Sequence, residues 1–375
     1  MKNTKPGKLP REPLSLRMEG RGHRFRVRTR SYLVGNTFNL INLMTRYEVE
    51  GREHLFEAVK RAAAQGRGLI TVSNHVSLFD DPMVLIAVLK LYNFNVQTKC
   101  WWSTACASNF NPKGKSLGAR VARWFNEVSN MVFMARSYKG CKAVELPDSL
   151  AELLQGRVGW QRMELMEAKA RQAGLDLESY LRSFVTAREG EQPTSLDQVG
   201  MLEACARINV GDWLHFFPEA GRSRNLSLRP ARPGVGKVIY HTPEAEVVPL
   251  CFYGTQDVLP VGALVPRPFQ KVVVSVGKPV SGTVLESLRR EPATVETFSE
   301  ISRFAMSAVA ALRPGVLARY MGAQAAFDLL AEEAAEEALA AQATESRAPT
   351  PRPSAELPWP VVVDDTGRPD RRASV

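Results

Sequence analysis

His75 is followed five residues later by an aspartate, in Ser73-Asn74-His75-Val76-Ser77-Leu78-Phe79-Asp80-Asp81-Pro82. Imidazole changes charge near neutral pH, so it is the residue type best suited to accept and return a proton. A carboxylate bonded to one ring nitrogen fixes the tautomer and leaves the other nitrogen as a base. Spacing alone leaves a second reading open. Ser77-x-x-Asp80 is also a capping pattern, and Asp80 or Asp81 could simply cap the helix that Pro82 opens.

A second cluster is Gly211-Asp-Trp-Leu-His-Phe-Phe-Pro-Glu-Ala-Gly-Arg-Ser223. A strand runs into Pro218 and then into a charged turn holding Glu219, Gly221, Arg222 and Ser223. An arginine and backbone N–H groups in a glycine-containing turn form a cradle for an anion. The plainer alternative is a surface salt bridge from Arg222 to Glu219. His215 alternates with apolar neighbours and reads as a packed residue rather than a base. A third cluster, Met131-Val-Phe-Met-Ala-Arg136, is a strand ending in arginine and says little alone.

The elements that must carry these clusters alternate in type. Gly68–Ser73, Met131–Ala135, Trp213–Phe217, Glu246–Tyr253 and Lys271–Val276 read as strands. Helical patterns fall at 83–92, 117–127, 234–241 and 294–312. This order predicts an α/β sheet with chemistry at the strand ends. Residues 141–200 carry Leu150, Leu153, Leu154, Met163, Met166, Tyr180, Leu181 and Phe184 at helical spacing, hence a helical insertion between two strands. An acidic helix is expected over 321–341, and the proline-rich segment 342–375 reads as a disordered tail.

The chain has 375 residues and a net charge of +10, and 45% of it is hydrophobic, which excludes a wholly disordered or fibrous chain. The charge is uneven. Residues 1–30 hold ten Lys/Arg against Glu12 and Glu19, a net of +8. Such an arm suits an anionic lipid surface or polymer, with a solvated tail or a transit peptide as alternatives. Behind it, over 31–45, Leu33, Phe38, Leu40, Ile41 and Leu43 form an apolar stripe opposite Asn36, Asn39 and Asn42. This predicts an amphipathic helix, lying in a membrane interface or packed on the core. No apolar run approaches the length of a spanning helix, and there is no signal-peptide core, so a soluble or membrane-surface protein is expected. The five scattered cysteines lack a CxxC pair and suit a reducing side as small buried residues.

Taken together, the clusters resemble the sequence blocks of the glycerolipid acyltransferases. Asn74-His75-x-Ser77-x-x-Asp80 is similar to the first block, Phe133-Met-Ala-Arg136 to the second, Phe217-Pro-Glu-Ala-Gly-Arg-Ser223 to the third and Val248-Pro249-Leu250 to the fourth. All four stand in the family order, over roughly residues 45–282. Asp80-Asp81, Gly211-Asp-Trp-Leu-His-Phe-Phe-Pro-Glu219, Gly254-Thr-Gln-Asp-Val-Leu-Pro260 and Gln270–Pro279 look like the tafazzin branch. The chain departs from the general family pattern, Gly-Thr-Arg after Pro-Glu, in having Ala220-Gly221-Arg222, and from the usual tafazzin Gly-Lys in having Arg222. Asn130 stands where the second block usually opens with glycine.

The resemblance implies an acyltransferase domain over 46–320, with an α/β fold in which a central mixed sheet is flanked by helices. His75 and Asp80 would be catalytic, and Asn74, Ser77, Arg136, Glu219, Gly221, Arg222 and Ser223 would bind substrate. It implies no metal and no bound cofactor, with a phospholipid or acyl-CoA as acyl donor and a lysophospholipid as acceptor. It also implies a phospholipid membrane as partner, met as a peripheral or monotopic protein on a reducing side. A tafazzin-like transacylase, an acyl-CoA-dependent acylglycerol-phosphate acyltransferase and a non-enzymatic membrane-binding protein are the readings in order of preference. A nucleic-acid binder fits only the basic arm, since no recognition motif accompanies it.

Overall fold

The protein is described from a computed structural model, over residues 38–78, 80–89, 102–106, 131–134, 147–158, 160–184, 196–260, 263 and 265–346. By contacts it divides into residues 1–327 and 328–375. The first unit is built on a seven-stranded sheet. Its strands are β1 (Arg46–Glu50), β2 (Leu69–Ser73), β3 (Trp102–Cys106), β4 (Met131–Met134), β5 (Trp213–Phe216), β6 (Glu246–Tyr253) and β7 (Lys271–Val276). The order across the sheet is β1-β7-β6-β2-β5-β3-β4. Every neighbouring pair is parallel except β6 and β7. The antiparallel β6–β7 pair makes the sheet mixed, as the family resemblance implies.

Central β2 is buried at every position, which suits a strand covered on both faces. Its Val/Ile/Leu-rich run makes it legible in sequence. Edge strand β1 reads Arg-Tyr-Glu-Val-Glu, with alternate residues exposed. Its charged side chains blunt the open edge against pairing with another chain. The same charges hide it from a search for apolar runs. Strand β3 is the other strand absent from the sequence reading.

Pro249 lies inside β6, between β2 and β7, where a missing N–H ordinarily breaks a ladder. Its carbonyl accepts from the Gly277 N–H at 2.9 Å. The N–H and C=O of one strand residue face the same neighbour, so the absent donor faces the point where β7 has ended at Val276. The proline thus costs the sheet no rung.

Helices α1 (Arg52–Gln65) and α2 (Asp80–Leu89) follow β1 and β2. Nine of the ten residues of α2 are buried, so it is a core helix. Between β4 and β5 lie α3 (Leu150–Val158), α4 (Trp160–Gln172), α5 (Leu177–Arg182) and α6 (Leu196–Asn209). Helices α3 to α5 and the first residues of α6 fall within the span 141–200 expected to be a helical insertion, and α6 continues past it to Asn209 and leads into β5. A buried ion cluster fastens it: Arg207 meets Glu203 at 2.8 Å and Asp212 at 3.5 Å, and Arg162 meets Asp212 at 3.2 Å. Removing one partner of such a cluster leaves an uncompensated buried charge.

After β5 come α7 (Pro233–Tyr240), the single turn α8 (Thr255–Val258), α9 (Gly282–Arg289), α10 (Val295–Met321) and α11 (Ala323–Ser346). By length and composition α10 could cross a membrane, the one such helix among the described residues. It packs against α7, β6 and β7, burying Phe298, Ile301, Ala305, Val309, Val316 and Leu317. That burial accounts for its apolar character. Cys205 and Cys251 are buried free thiols, and burial pushes both up to about 12. The expected helix at 117–127, residues 1–37 and the tail from 347 lie outside the described residues.

The helix before β1 corrects the sequence reading. Residues 38–43 are helical, but Asn39 and Asn42 are buried, at 3% and 4% exposure, while Leu40 and Leu43 stand 59% and 74% exposed. The asparagine face is the inner one. Asn42 Nδ2 donates to the Met83 carbonyl at 3.3 Å, and Asn42 Oδ1 accepts from the Tyr47 hydroxyl at 2.6 Å. Phe38 and Ile41 are buried beside them.

Candidate active site

His75 stands two residues beyond the end of β2. Its Nδ1 lies 2.8 Å from Asp80 Oδ2. That oxygen also accepts the backbone N–H groups of Val76 at 2.7 Å and Ser77 at 2.8 Å. Asp80 Oδ1 accepts from the Thr255 hydroxyl at 2.5 Å. Asp80 is fully buried, so these four donors replace its water. An oxygen already facing two N–H groups accepts from a third, which makes His75 Nδ1 the protonated nitrogen. Nε2 is then the basic one, and it has no hydrogen-bond partner among the described residues.

The capping and catalytic readings of Asp80 turn out to be compatible. Its carboxylate reaches back to the Ser77 N–H, as the acid of a capping box does, and holds the His75 ring with the same oxygen. Asp81 plays no part in this: its carboxylate accepts from the Ser103 hydroxyl on β3. Thr255 was missed in the sequence. Its signal was a hydroxyl directly after a glycine at a strand end.

The His75 ring stacks on Phe217, with centroids 4.0 Å apart and planes at 22°. Its side chain keeps 19% exposure. The ring is thus held on one face and partly exposed. The main chain is held as firmly. Glu219 Oε1 accepts the His75 N–H at 2.9 Å, and the His75 carbonyl accepts the Ser223 N–H at 2.7 Å. Glu219 Oε2 accepts the Arg229 N–H at 2.9 Å. Burial pushes the Glu219 carboxyl up to about 7, against the pull of those two N–H groups.

Several expected substrate contacts are turned inward. Asn74 Nδ2 donates to the Phe252 carbonyl at 2.7 Å, and Asn74 Oδ1 accepts the Phe252 N–H at 3.0 Å. The amide imitates one more rung between β2 and β6, and Asn74 is 1% exposed. Ser77 is equally buried, with its hydroxyl towards the Leu259 carbonyl at 3.4 Å. Glu219 holds backbone and does not face solvent. The expected alternative of an Arg222–Glu219 salt bridge does not form, since both carboxylate oxygens serve N–H groups and Arg222 is exposed. Gly221 and the buried Ser223 complete the turn beside it. Arg136 lies outside the described residues.

Ala220 has φ 52, a left-handed conformation that glycine adopts without strain. The glycine of this turn therefore stands one place after the position whose backbone asks for it. The Gly221 and Arg222 N–H groups have no partner among the described residues. Those of His75, Val76 and Ser77 are all taken.

His215 is buried, as its alternation with apolar residues implies, but it is also bonded on both sides. Trp213 Nε1 donates to Thr71 Oγ1 at 2.9 Å, and Thr71 Oγ1 lies 2.8 Å from His215 Nδ1. His215 Nε2 lies 3.1 Å from Ser73 Oγ, which donates to the Asn74 carbonyl at 3.0 Å. One direction of donation satisfies the whole row, with the proton on Nε2. Burial, with His75 nearby, pushes His215 down to about 3, so the ring stays neutral.

The paired histidine and aspartate stand at the end of β2, clamped by the turn after β5, in an α/β sheet whose fourth block is the proline-bearing strand β6. A protein-family model described as Acyltransferase matches residues 46–253, which takes in β1 through β6 and both halves of this site. That is more than half of the chain, and the chain belongs to this acyltransferase family, within the glycerolipid acyltransferase superfamily.

Proposed function

We propose that the protein transfers a fatty acyl chain to the glycerol hydroxyl of a lysophospholipid at a membrane surface. The observation that carries this reading is the His75 Nδ1 to Asp80 Oδ2 bond of 2.8 Å, which leaves Nε2 without a partner among the described residues on a ring that keeps 19% exposure. Nε2 takes the proton of the acceptor hydroxyl, and the oxygen attacks the acyl carbonyl. The tetrahedral intermediate expels the donor's alkoxide or thiolate, which takes the proton back from Nε2. Asp80 keeps the imidazolium oriented while it is charged. No acyl-enzyme is required.

The Gly221 and Arg222 N–H groups and the Arg222 guanidinium supply the anion contacts. The amides of residues 75–77 are committed to Glu219 and Asp80, and among the described residues the turn after Pro218 offers the unpartnered Gly221 and Arg222 N–H groups. Arg222, exposed and forked, suits a lipid phosphate. Arg136 joins it by resemblance alone.

The donor is a phospholipid, in the manner of tafazzins. The likeness of Gly254–Pro260 to the tafazzin branch supports this, and its Thr255 hydroxyl bonds Asp80. A second reading, transfer from acyl-CoA to an acylglycerol phosphate, is favoured by Arg222, which matches the wider family. Labelled lysophospholipid in mixed liposomes, with and without acyl-CoA, separates the two. Transfer without thioester is expected, and strict dependence on acyl-CoA decides for the second. No transfer in either arm, with His75 intact, removes both.

A further inference from the structure

The sheet topology places four strand ends on one edge. Strand β7 runs against β6, and β1 runs with β7, so the first residues of β1 and β7 lie on the edge where β2 and β6 end. Arg46 is paired with Lys271, and Ser73 with Leu250. Leu250 is level with Val276 at the far end of β7, so Arg46 and Lys271 stand five residues, roughly 17 Å, beyond Ser73 along the strands, and Arg46 is three strand spacings, roughly 14 Å, across from β2. His75 therefore shares its edge with whatever precedes Arg46 and Lys271.

What precedes them is apolar and unburied. Leu40 and Leu43 are 59% and 74% exposed just before β1, and Val265 and Phe269 are 74% and 66% exposed just before β7. The two segments are tied, since the Phe269 N–H donates to the Met44 carbonyl at 2.5 Å. Leu78, three residues after His75, is 42% exposed. Leu175, Val284 and Val295 are exposed singly on other elements.

Two features oppose stability in water. Phe269 is held at φ 61, a left-handed backbone that strains a bulky residue, and the strain leaves an aromatic ring in solvent. The helix over 38–43 buries two asparagines and exposes two leucines, the reverse of a helix built for water on its outer side. Charge accompanies the apolar tips. Arg46, Arg222, Arg224 and Arg267 are exposed on this edge. Among the described residues, Glu48 is paired with Lys271 at 2.8 Å and Asp257 accepts from the Tyr320 hydroxyl. The arm that leads into the helix carries a net +8 over residues 1–30.

We infer that this edge is the docking face for an anionic phospholipid bilayer. Leu40, Leu43, Val265 and Phe269 enter below the head groups, and the arginines lie at phosphate level. His75 Nε2 is then held at the interface, so a lysophospholipid reaches it without leaving its leaflet. The inference rests on the acyl-transfer reading only for this last consequence, not for the binding itself.

Cosedimentation with zwitterionic vesicles and with vesicles doped with anionic phospholipid tests it. Leu43→Asp with Phe269→Asp is expected to lower partitioning into both by roughly tenfold or more, because each side chain loses its apolar burial. Val284→Asp, an exposed apolar residue on α9, is the control and should bind as the native protein does. Both target side chains are exposed, so the thermal midpoint is expected to hold, and a melting curve checks it. Raised salt should weaken binding to the anionic vesicles alone. Binding is read without turnover, so a protein that transfers no acyl group would still show these losses. Native-like binding by the double variant overturns the inference. So does a native dimer, seen by sedimentation, that the double variant converts to monomer with vesicle binding unchanged, since the face then joins two copies of this chain.

Discussion

Glu219 Oε1 accepts the backbone N–H of His75 at 2.9 Å, although 144 residues separate them. His75 is thus held by its main chain from the turn after β5 and by its ring from the start of α2. Both Glu219 oxygens serve backbone N–H groups, so in the proposed mechanism Glu219 positions His75. A buried carboxyl is well suited to this, since two N–H groups that would otherwise be orphaned find acceptors on one side chain.

His75→Ala should abolish transfer with a thermal midpoint close to the native one, because the ring contributes one stacking contact and one hydrogen bond. Asp80→Asn should lower kcat by about 10²–10⁴-fold, since the ring loses its orienting anion and its tautomer. It should also destabilise, by about 1–3 kcal/mol, because the amide cannot accept all four donors. Steady-state kinetics with a denaturation curve reads both effects, and native-like rates in either variant exclude the proposed base.

Glu219 titrates near 7 in the folded protein, above the ordinary carboxyl value of 4.5. The folded state therefore holds a proton that the unfolded state has released between those values, and this contribution to stability falls as pH rises from about 4.5 to 7, by at most about 1.4 kcal/mol per unit. Glu219→Gln removes the titration and turns an NH₂ towards a backbone N–H. It should cost about 1–3 kcal/mol at pH 5. The gap to the native protein should narrow as pH rises to 7. Urea denaturation at several pH values measures the gap, and a constant gap excludes a buried protonated carboxyl.

Ala220→Gly should leave stability unchanged or raise it by up to about 1 kcal/mol, as relief of the left-handed strain at φ 52 offsets the added freedom of the unfolded chain. Ala220→Val should lose about 1–2 kcal/mol and slow transfer, because a β-branched residue moves the turn that holds His75. Equal stability for Gly and Val would show that the backbone there is not left-handed.

Arg222→Ala should raise KM for a phosphate-bearing acceptor by about tenfold while changing kcat less, if the contact forms in ground and transition states alike. Arg222→Lys should restore part of it, keeping charge but not the fork. Acceptor kinetics that do not change would remove Arg222 from the site.

Residue type and spacing determined the parts of this protein that depend on local chemistry. The apolar β-branched runs of β2, β6 and β7 announce strands because both faces of a central strand are buried. His75 and Asp80 announce each other because five residues across a strand-to-helix turn bring ring and carboxylate together. Charged β1 stayed hidden, since an edge strand needs no apolar run.

The tertiary structure decided which face of each pattern meets the protein. The three-residue recurrence of Asn36, Asn39 and Asn42 separates two sides of a helix but does not say which is inside. Asn42 is inside because the Met83 carbonyl and the Tyr47 hydroxyl, from other elements, satisfy it there, and Leu40 and Leu43 are outside as a result. Asn74 and Glu219 likewise turn inward because the Phe252 and Arg229 backbones offer partners. A buried polar group goes where its hydrogen bonds are, and those partners are assembled only when distant strands come together.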